Sequence, residues 1–140
     1  KLEIGSFELI NSEYVGFYIH AGNKIATLVG LSNKFEESEE LSKNIAMQVA
    51  AMNPIALNED GVSKDIVEKE IEIAKEQLRA EGKPESMLDN IAKGKLKKFF
   101  KESTLINQAY IKDNKSSVND YVKSVNKDCE ITDFKRVALV

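Results

Sequence analysis

A chain of 140 residues, 42% of them hydrophobic, can bury one real core, and no run approaches the roughly eighteen apolar residues that a membrane-spanning helix needs. Twenty basic against 23 acidic residues leave a net charge of −3, which argues against binding driven by counterion release from a nucleic-acid backbone. One cysteine, Cys129, excludes an internal disulfide framework and fits a reducing compartment. Lys1-Leu2-Glu3-Ile4 leads straight into strand-like sequence with no secretory pattern, and the lack of an initiating Met is expected of a piece of a longer protein.

In chain order, about Phe7 to Asn11, Tyr14 to His20 and Lys24 to Leu31 read as three short strands of an antiparallel meander. Val15, Phe17 and Ile19 alternate with Tyr14, Gly16 and Tyr18, the period of a half-buried strand. Ala21-Gly22-Asn23 is a tight turn in which Gly22 or Asn23 can take positive φ, and Ile25, Thr27, Val29 and Leu31 continue one face of the return strand. Glu36 to Met52 is the first helix, its start crowded with Glu36, Glu37, Glu39 and Glu40 at the positive end of the macrodipole. Within it Ile45, Val49 and Met52 line one face, and Ala46 and Ala50 form a small-residue strip that lets a neighbour approach closely. Asn53-Pro54 stops it, because the residue before proline is pushed out of the α region.

Ser63 caps a second helix running to Ala80, and Pro84 to about Glu102 forms a third, the two joined by Glu81-Gly82-Lys83. Val67, Ile71, Ala74 and Leu78 repeat at 4-3-4 spacing, and Leu88, Ala92 (with Ile91), Leu96 and Phe99 repeat at helical spacing of 4-4-3, so the pair reads as an antiparallel hairpin with coiled-coil packing. Two narrow seams leave the remaining surfaces polar, which suits a projecting arm. Leu105 to Asp113 reads as irregular. Ser117 to Asn126 is a short amphipathic helix with Val118, Tyr121, Val122 and Val125 inward, and Ile131, Phe134, Val137 and Leu139 suggest a last strand, imperfect near Asp133, that adds to the meander.

Catalytic groups are scarce. His20 and Cys129 stand far apart in sequence and cannot supply a four-ligand zinc site, and neither a GxxxxGK(S/T) loop nor a GxGxxG turn is present. The chain is therefore read as a non-enzyme with no cofactor. Lys93, Lys95, Lys97, Lys98 and Lys101 crowd one segment, which reads first as a solvated helix face and only second as an RNA contact with steep salt dependence. Taken on their own, His20 reads as a surface histidine capping a turn, Phe99 and Phe100 as packing at the base of the arm, and Cys129 as a small buried hydrophobe.

Four stretches resemble the elongation factor Ts family. Ile45-Ala46-Met47-Gln48-Val49-Ala50-Ala51-Met52-Asn53-Pro54 is similar to its core-domain helix, although Gln48 stands where many relatives carry His. Tyr18-Ile19-His20-Ala21-Gly22-Asn23-Lys24-Ile25, then Leu28-Val29, resembles its "YxHxGG(R/K)IGVLV" hairpin. Gly82-Lys83-Pro84-Glu85 with Gly94-Lys95-Leu96-Lys97-Lys98-Phe99 resembles its "GKPE … EGKLxKF" segment. Leu105-Ile106-Asn107-Gln108-Ala109-Tyr110-Ile111-Lys112-Asp113 resembles "LLxQPFVKD", with Ala109 at the usual proline.

That resemblance implies an α+β fold: a three- or four-stranded antiparallel sheet covered by helices, residues 1–62 and 103–140, with residues 63–102 an inserted coiled-coil hairpin. It implies the C-terminal half of a core whose parent protein exchanges guanine nucleotide on elongation factor Tu in the bacterial cytoplasm rather than an organelle. It assigns to that partner the surface of His20, Ala21, Gly22, Asn23, Lys24, Ile25 and Ile111. Lys24 keeps the charge of the usual Arg without its planar fork, and Ile111 reads equally as a core residue of the return segment. The family's insertion is often called a dimerisation module, so the competing reading is self-association through Val67, Ile71, Leu78, Leu88 and Leu96. The family's N-terminal module, its C-terminal tail and its "TDF" wedge motif are expected to lie outside this chain. Thr132-Asp133-Phe134 spells that tripeptide, but in the last strand, and reads as coincidence.

Overall fold

The computed structural model describes residues Leu2 to Leu139. In chain order these form β1 (Tyr14–Ile19), β2 (Ile25–Leu31), α1 (Ser38–Met52), α2 (Lys64–Ala80), α3 (Glu85–Ser103), β3 (Ala109–Tyr110), β4 (Asp113–Ser117), α4 (Val118–Val125) and β5 (Ile131–Ala138). The class is α+β. The main sheet is antiparallel and three-stranded in the order β1-β2-β5, so the last strand closes on the meander as its sequence suggests.

The inward face of the sheet is set by how closely α1 approaches it. Gly16 faces the helix, where a Cβ would overlap the side chain of Ser42. One turn on, Thr27 Oγ1 donates to the backbone oxygen of Ala46 at 2.8 Å, and Arg136 Nη2 donates to that of Ala50 at 3.4 Å. Both contacts need the small side chains at 46 and 50. Gly16 is therefore inward, with Tyr14 and Tyr18 half-buried beside it, while Val15, Phe17 and Ile19 point to the other face and are 37%, 64% and 53% exposed. Thr27, Val29 and Leu31 are buried, as their alternation predicts. Ile45 and Val49 complete the core from the helix side, but Met52 does not share their burial and is 48% exposed at the helix end. Asn53 leaves the α region as expected before proline, through a left-handed φ of 45°.

Two readings are corrected. Residues 7–11 form no strand: Phe7 and Leu9 are exposed, and only Ile10 is buried. Ser12 explains the departure. Its hydroxyl donates to the Leu31 oxygen and pairs with Thr132 Oγ1, drawing the chain across the outer sheet face over Gly30 instead of along an edge. Thr132 is available because β5 carries a bulge there, the irregularity foreseen near Asp133.

The second correction concerns Leu105 to Asp113, which holds one 3₁₀ turn (Leu105–Asn107), strand β3 and the first residue of β4, its partner in a two-stranded ribbon. Three-centred anchoring by one buried amide replaces the missing ladder. Gln48 Nε2 donates to Gln108 Oε1 at 3.3 Å and to the Ala109 oxygen at 3.1 Å, and Gln48 Oε1 accepts from the Ile111 amide at 2.8 Å. Gln108 in turn donates to the Glu102 oxygen at 3.0 Å, and both glutamines are almost completely buried. Beside them Asn44 donates to the Tyr121 hydroxyl at 2.9 Å and accepts from Lys112 Nζ at 2.7 Å, while Tyr110 stacks on Tyr121 with ring centroids 4.2 Å apart. Burial, then the hydrogen bond with Tyr121, pushes the Tyr110 phenol above its ordinary value. Helix α4 begins with a complete capping box between Ser117 and Asp120 and brings Val118 and Val122 into the same core.

Helices α2 and α3 pack against each other. Ser63 caps α2 through the Ile66 amide, and Lys83 N–H to the Leu78 oxygen with Gly82 at φ 79° closes its C-terminus in a Schellman turn. The pairs Lys75–Asp89 at 2.9 Å and Arg79–Glu85 at 2.8 Å fix an antiparallel register. Hydrogen bonds from the partner cations hold the Asp89 and Glu85 carboxyls below the usual carboxylate range, but both carboxylates and Arg79 face solvent and the pairs set register more than stability. Ala74 and Leu78, Leu88 and Ala92 are buried; Val67, Ile71, Leu96 and Phe99, nearer the base, are half-buried. At that base the two connecting segments run parallel and bond to each other: Ile55 N–H to the Ser103 oxygen, Leu105 N–H to Ala56, and Ile106 N–H to Leu57.

Because that zipper closes the chain beneath the two helices, replacing residues 64–101 by a short Gly-Ser linker is expected to leave a cooperatively melting domain. Loss of the calorimetric transition would mean that the helices are part of the core. Gln48→Leu is expected to cost about 2–4 kcal/mol in urea unfolding, since it strands buried donors and acceptors, and Gln48→His, which keeps ring donors and acceptors, should cost less.

Candidate functional site

The turn between β1 and β2 is exposed and conformationally fixed. The Asn23 amide donates to the His20 oxygen at 2.9 Å and the His20 amide to the Ile25 oxygen at 2.8 Å. Both Gly22, at φ 88°, and Asn23, at φ 57°, adopt left-handed backbone, so each of the two candidates for that conformation takes it. His20, Ala21, Gly22, Asn23 and Lys24 are exposed and Ile25 is half-buried. The His20 ring stands edge-on to Tyr18, with Tyr18 Oη 3.1 Å from Nδ1, so its orientation is set by the strand beneath it. The Lys24 oxygen accepts from the Leu139 amide at 2.7 Å, which ties the turn to the end of β5.

Ile111 occupies the other candidate position, at the tip of β3–β4. It is 41% exposed, so its side chain is not core; its backbone, held by Gln48, is the part that belongs to the interior. Lys112 beside it is exposed, with its ammonium tethered by Asn44. The two sites share one support. Helix α1 backs the sheet that carries the His20 turn, and its Asn44 and Gln48 hold the ribbon that carries Ile111. These two polar residues went unnoticed as positioning groups, yet a signal existed. Asn44 and Gln48 are an i, i+4 pair off the stripe of Glu39, Glu40 and Lys43 that faces outward.

Of the five seam residues read as self-associating, Leu78 and Leu88 are each 2% exposed and are consumed within the α2–α3 pair, while Val67, Ile71 and Leu96 are half-buried. The exposed apolar side chains of these helices are Ile66, Ile73 and Met87. Cys129 is fully buried, and burial pushes its thiol above the ordinary value, so it stays protonated and inert. Among the described residues no three His, Cys, Asp or Glu side chains converge as metal ligands, and no helix is long and apolar enough to cross a membrane.

The family model described as elongation factor TS matches residues 1–140. An elongation factor Ts of Christiangramia forsetii is 61% identical over 139 residues, covering 99% of this chain and 51% of that protein. One from Flavobacterium psychrophilum is also 61% identical over 139 residues, with the same coverage. One from Amoebophilus asiaticus is 47% identical over 138 residues, 98% of this chain and 50% of that protein. The chain spans about half the length of the curated relatives it matches. With a match over its whole length and this degree of identity, the chain belongs to the elongation factor Ts family.

Proposed function

We propose that this chain is the part of a translation elongation factor that grips elongation factor Tu, and that the longer protein promotes guanine-nucleotide exchange on that partner. The observation that carries the reading is the combination of exposure and rigidity at the residues the resemblance assigns. The His20–Ile25 turn is held by backbone bonds and two left-handed residues, and Ile111 is presented by a ribbon pinned to α1. A surface ordered before the encounter loses little conformational entropy on binding. Exchange of this kind is differential binding: the factor stabilises the nucleotide-free partner, so GDP leaves and GTP enters without any covalent step. A non-enzymatic role fits a chain whose one thiol is buried and whose one histidine rests against Tyr18.

On this reading residues 1–62 and 103–140 are the core and residues 63–102 an inserted module. The working compartment is the bacterial cytoplasm, as the bacterial relatives suggest, with neither nucleic acid nor membrane as partner. The second reading, self-association through the helical pair, is favoured by one observation. Ile66, Ile73 and Met87 are exposed apolar side chains on otherwise polar helices, so a second copy would meet these in place of Leu78 and Leu88.

The chain alone is expected not to accelerate release of a fluorescent GDP from elongation factor Tu. Its only Asp-Phe pair of the wedge type is spent on the fold, since Asp133 is paired opposite Gly30 and Phe134 packs on the core. Stimulation near that of a full-length factor would overturn this. His20→Ala should alter stability by no more than ~0.5 kcal/mol, as for other exposed sites, while weakening partner binding in the longer protein by ~1 kcal/mol or more. Titration calorimetry and thermal melts on the same variant separate the two. A lowered melting temperature with unchanged affinity would make the histidine structural.

A further inference from the structure

Between the base of α3, the end of α1 and β3 lies an open cleft of about 870 Å³ that none of the assigned partner residues lines. One wall is a single face of α3: Gly94, Lys97, Lys98 and Lys101 follow i, i+3, i+4, i+7 spacing and all line it. Met52, about half exposed, and the exposed Ala109 contribute its apolar surface. Two carboxylates, Glu59 and Glu102, also border it. Glu102 is opposed by Lys98 at 3.9 Å, whereas Lys97 and Lys101 have no carboxylate within ion-pair distance among the described residues.

Gly94 is the informative member. A glycine in the interior of a helix is a standing cost in stability, usually accepted where something must come close to the backbone. Among the described residues nothing does: a Cβ at Gly94 would meet no atom within 4 Å. The space therefore serves no packing within the chain, and it opens on the cleft. The same face carries the two unpaired cations over apolar surface.

We propose that this cleft is a docking site for an acidic, amphipathic peptide segment of a partner protein. Its apolar side chains lie along Met52, Ala109 and the bare backbone at Gly94, and its carboxylates reach Lys97 and Lys101. The apolar surface selects this occupant over a nucleic acid, whose phosphates would make no use of it; Lys97 and Lys101 supply the charge complementarity for the peptide's carboxylates. The inference is independent of how elongation factor Tu is bound, because it shares no residue with the His20 turn or Ile111.

The test is panning of a phage-displayed library of random peptides on the 140-residue chain, followed by fluorescence polarisation of the enriched sequences. The expected outcome is a consensus that mixes Asp or Glu with Leu, Ile, Met or Phe. Binding should fall by about tenfold or more both in Gly94→Leu, which fills the cleft, and in the double variant Lys97→Glu/Lys101→Glu. Gly94→Leu should melt no lower than the parent; should it fail to fold, the exposed lysine variant decides alone. Absence of an acidic apolar consensus, or peptides that bind both variants as tightly as the parent, overturns the proposal. Displacement of the peptides by a uridine homopolymer, with the steep salt dependence of phosphate binding, also overturns it and assigns the lysines to nucleic acid.

Discussion

The rest of the molecule depends on how closely α1 lies to the sheet. Gly16 removes the side chain that would collide with Ser42, and Ala46 and Ala50 leave their carbonyls within reach of Thr27 and Arg136. A larger residue at any of these positions would lift the helix and break hydrogen bonds formed across the interface, where a stranded donor is expensive. With the helix seated, Ile45 and Val49 meet Val29 and Leu31 in one apolar core, each fully buried side chain contributing about 1.5–3 kcal/mol. The same seating aims Asn44 and Gln48 away from the sheet, toward β3–β4. One contact thus determines both what the core contains and where the second ribbon attaches.

The ribbon shows how little regular structure is needed when a side chain supplies the bonds. β3 has only two residues, far short of what holds a hairpin together in water. Gln48 satisfies the Ala109 oxygen and the Ile111 amide, Gln108 carries the connection down to Glu102, and the Tyr110–Tyr121 stack covers the flank. A fully satisfied buried amide network of this kind is rigid, because any displacement leaves a donor unpaired in low dielectric. That rigidity passes directly to Ile111, whose amide is one of the bonds.

Much of this was legible in the sequence, and the failures have physical causes. Strong periodicity located α1, α2, α3 and α4 to within a residue or two, and the turns at Gly22 and Gly82 followed from the need for positive φ. The period of β1 was visible, but which of its two faces turns inward was not, because Val15, Phe17 and Ile19 are the apolar set and the constraint comes from a glycine. The missed ribbon had no β-pattern to find, since Asp113-Asn114-Lys115-Ser116-Ser117 is polar throughout and its two-residue partner β3 is held from outside by Gln48. Residues 7–11 failed for the opposite reason: they alternate like a strand, but Ser12 turns them away from any edge. At the candidate site, the exposure of the His20 turn could be expected from its composition, whereas the support of Ile111 required knowing that Gln48 is buried.

The helical pair differs from the core in how it is stabilised, and that difference bears on what it can do. Four small or medium side chains, Ala74, Leu78, Leu88 and Ala92, are buried along its two helices, and its ion pairs are exposed. Burial declines toward the base, where Val67, Ile71, Leu96 and Phe99 are only partly covered. The seam is therefore tightest near the Gly82 turn and loosest beside the cleft. The base is held instead by backbone bonds between residues 55–57 and 103–106, a connection that resists separation without demanding side-chain packing above it. Such a design keeps the two helices in register and anchored while leaving the Lys97–Lys101 face of α3 unencumbered by the core. The cleft then has one wall belonging to the helical pair and another belonging to α1 and β3. A ligand seated there would bear on both.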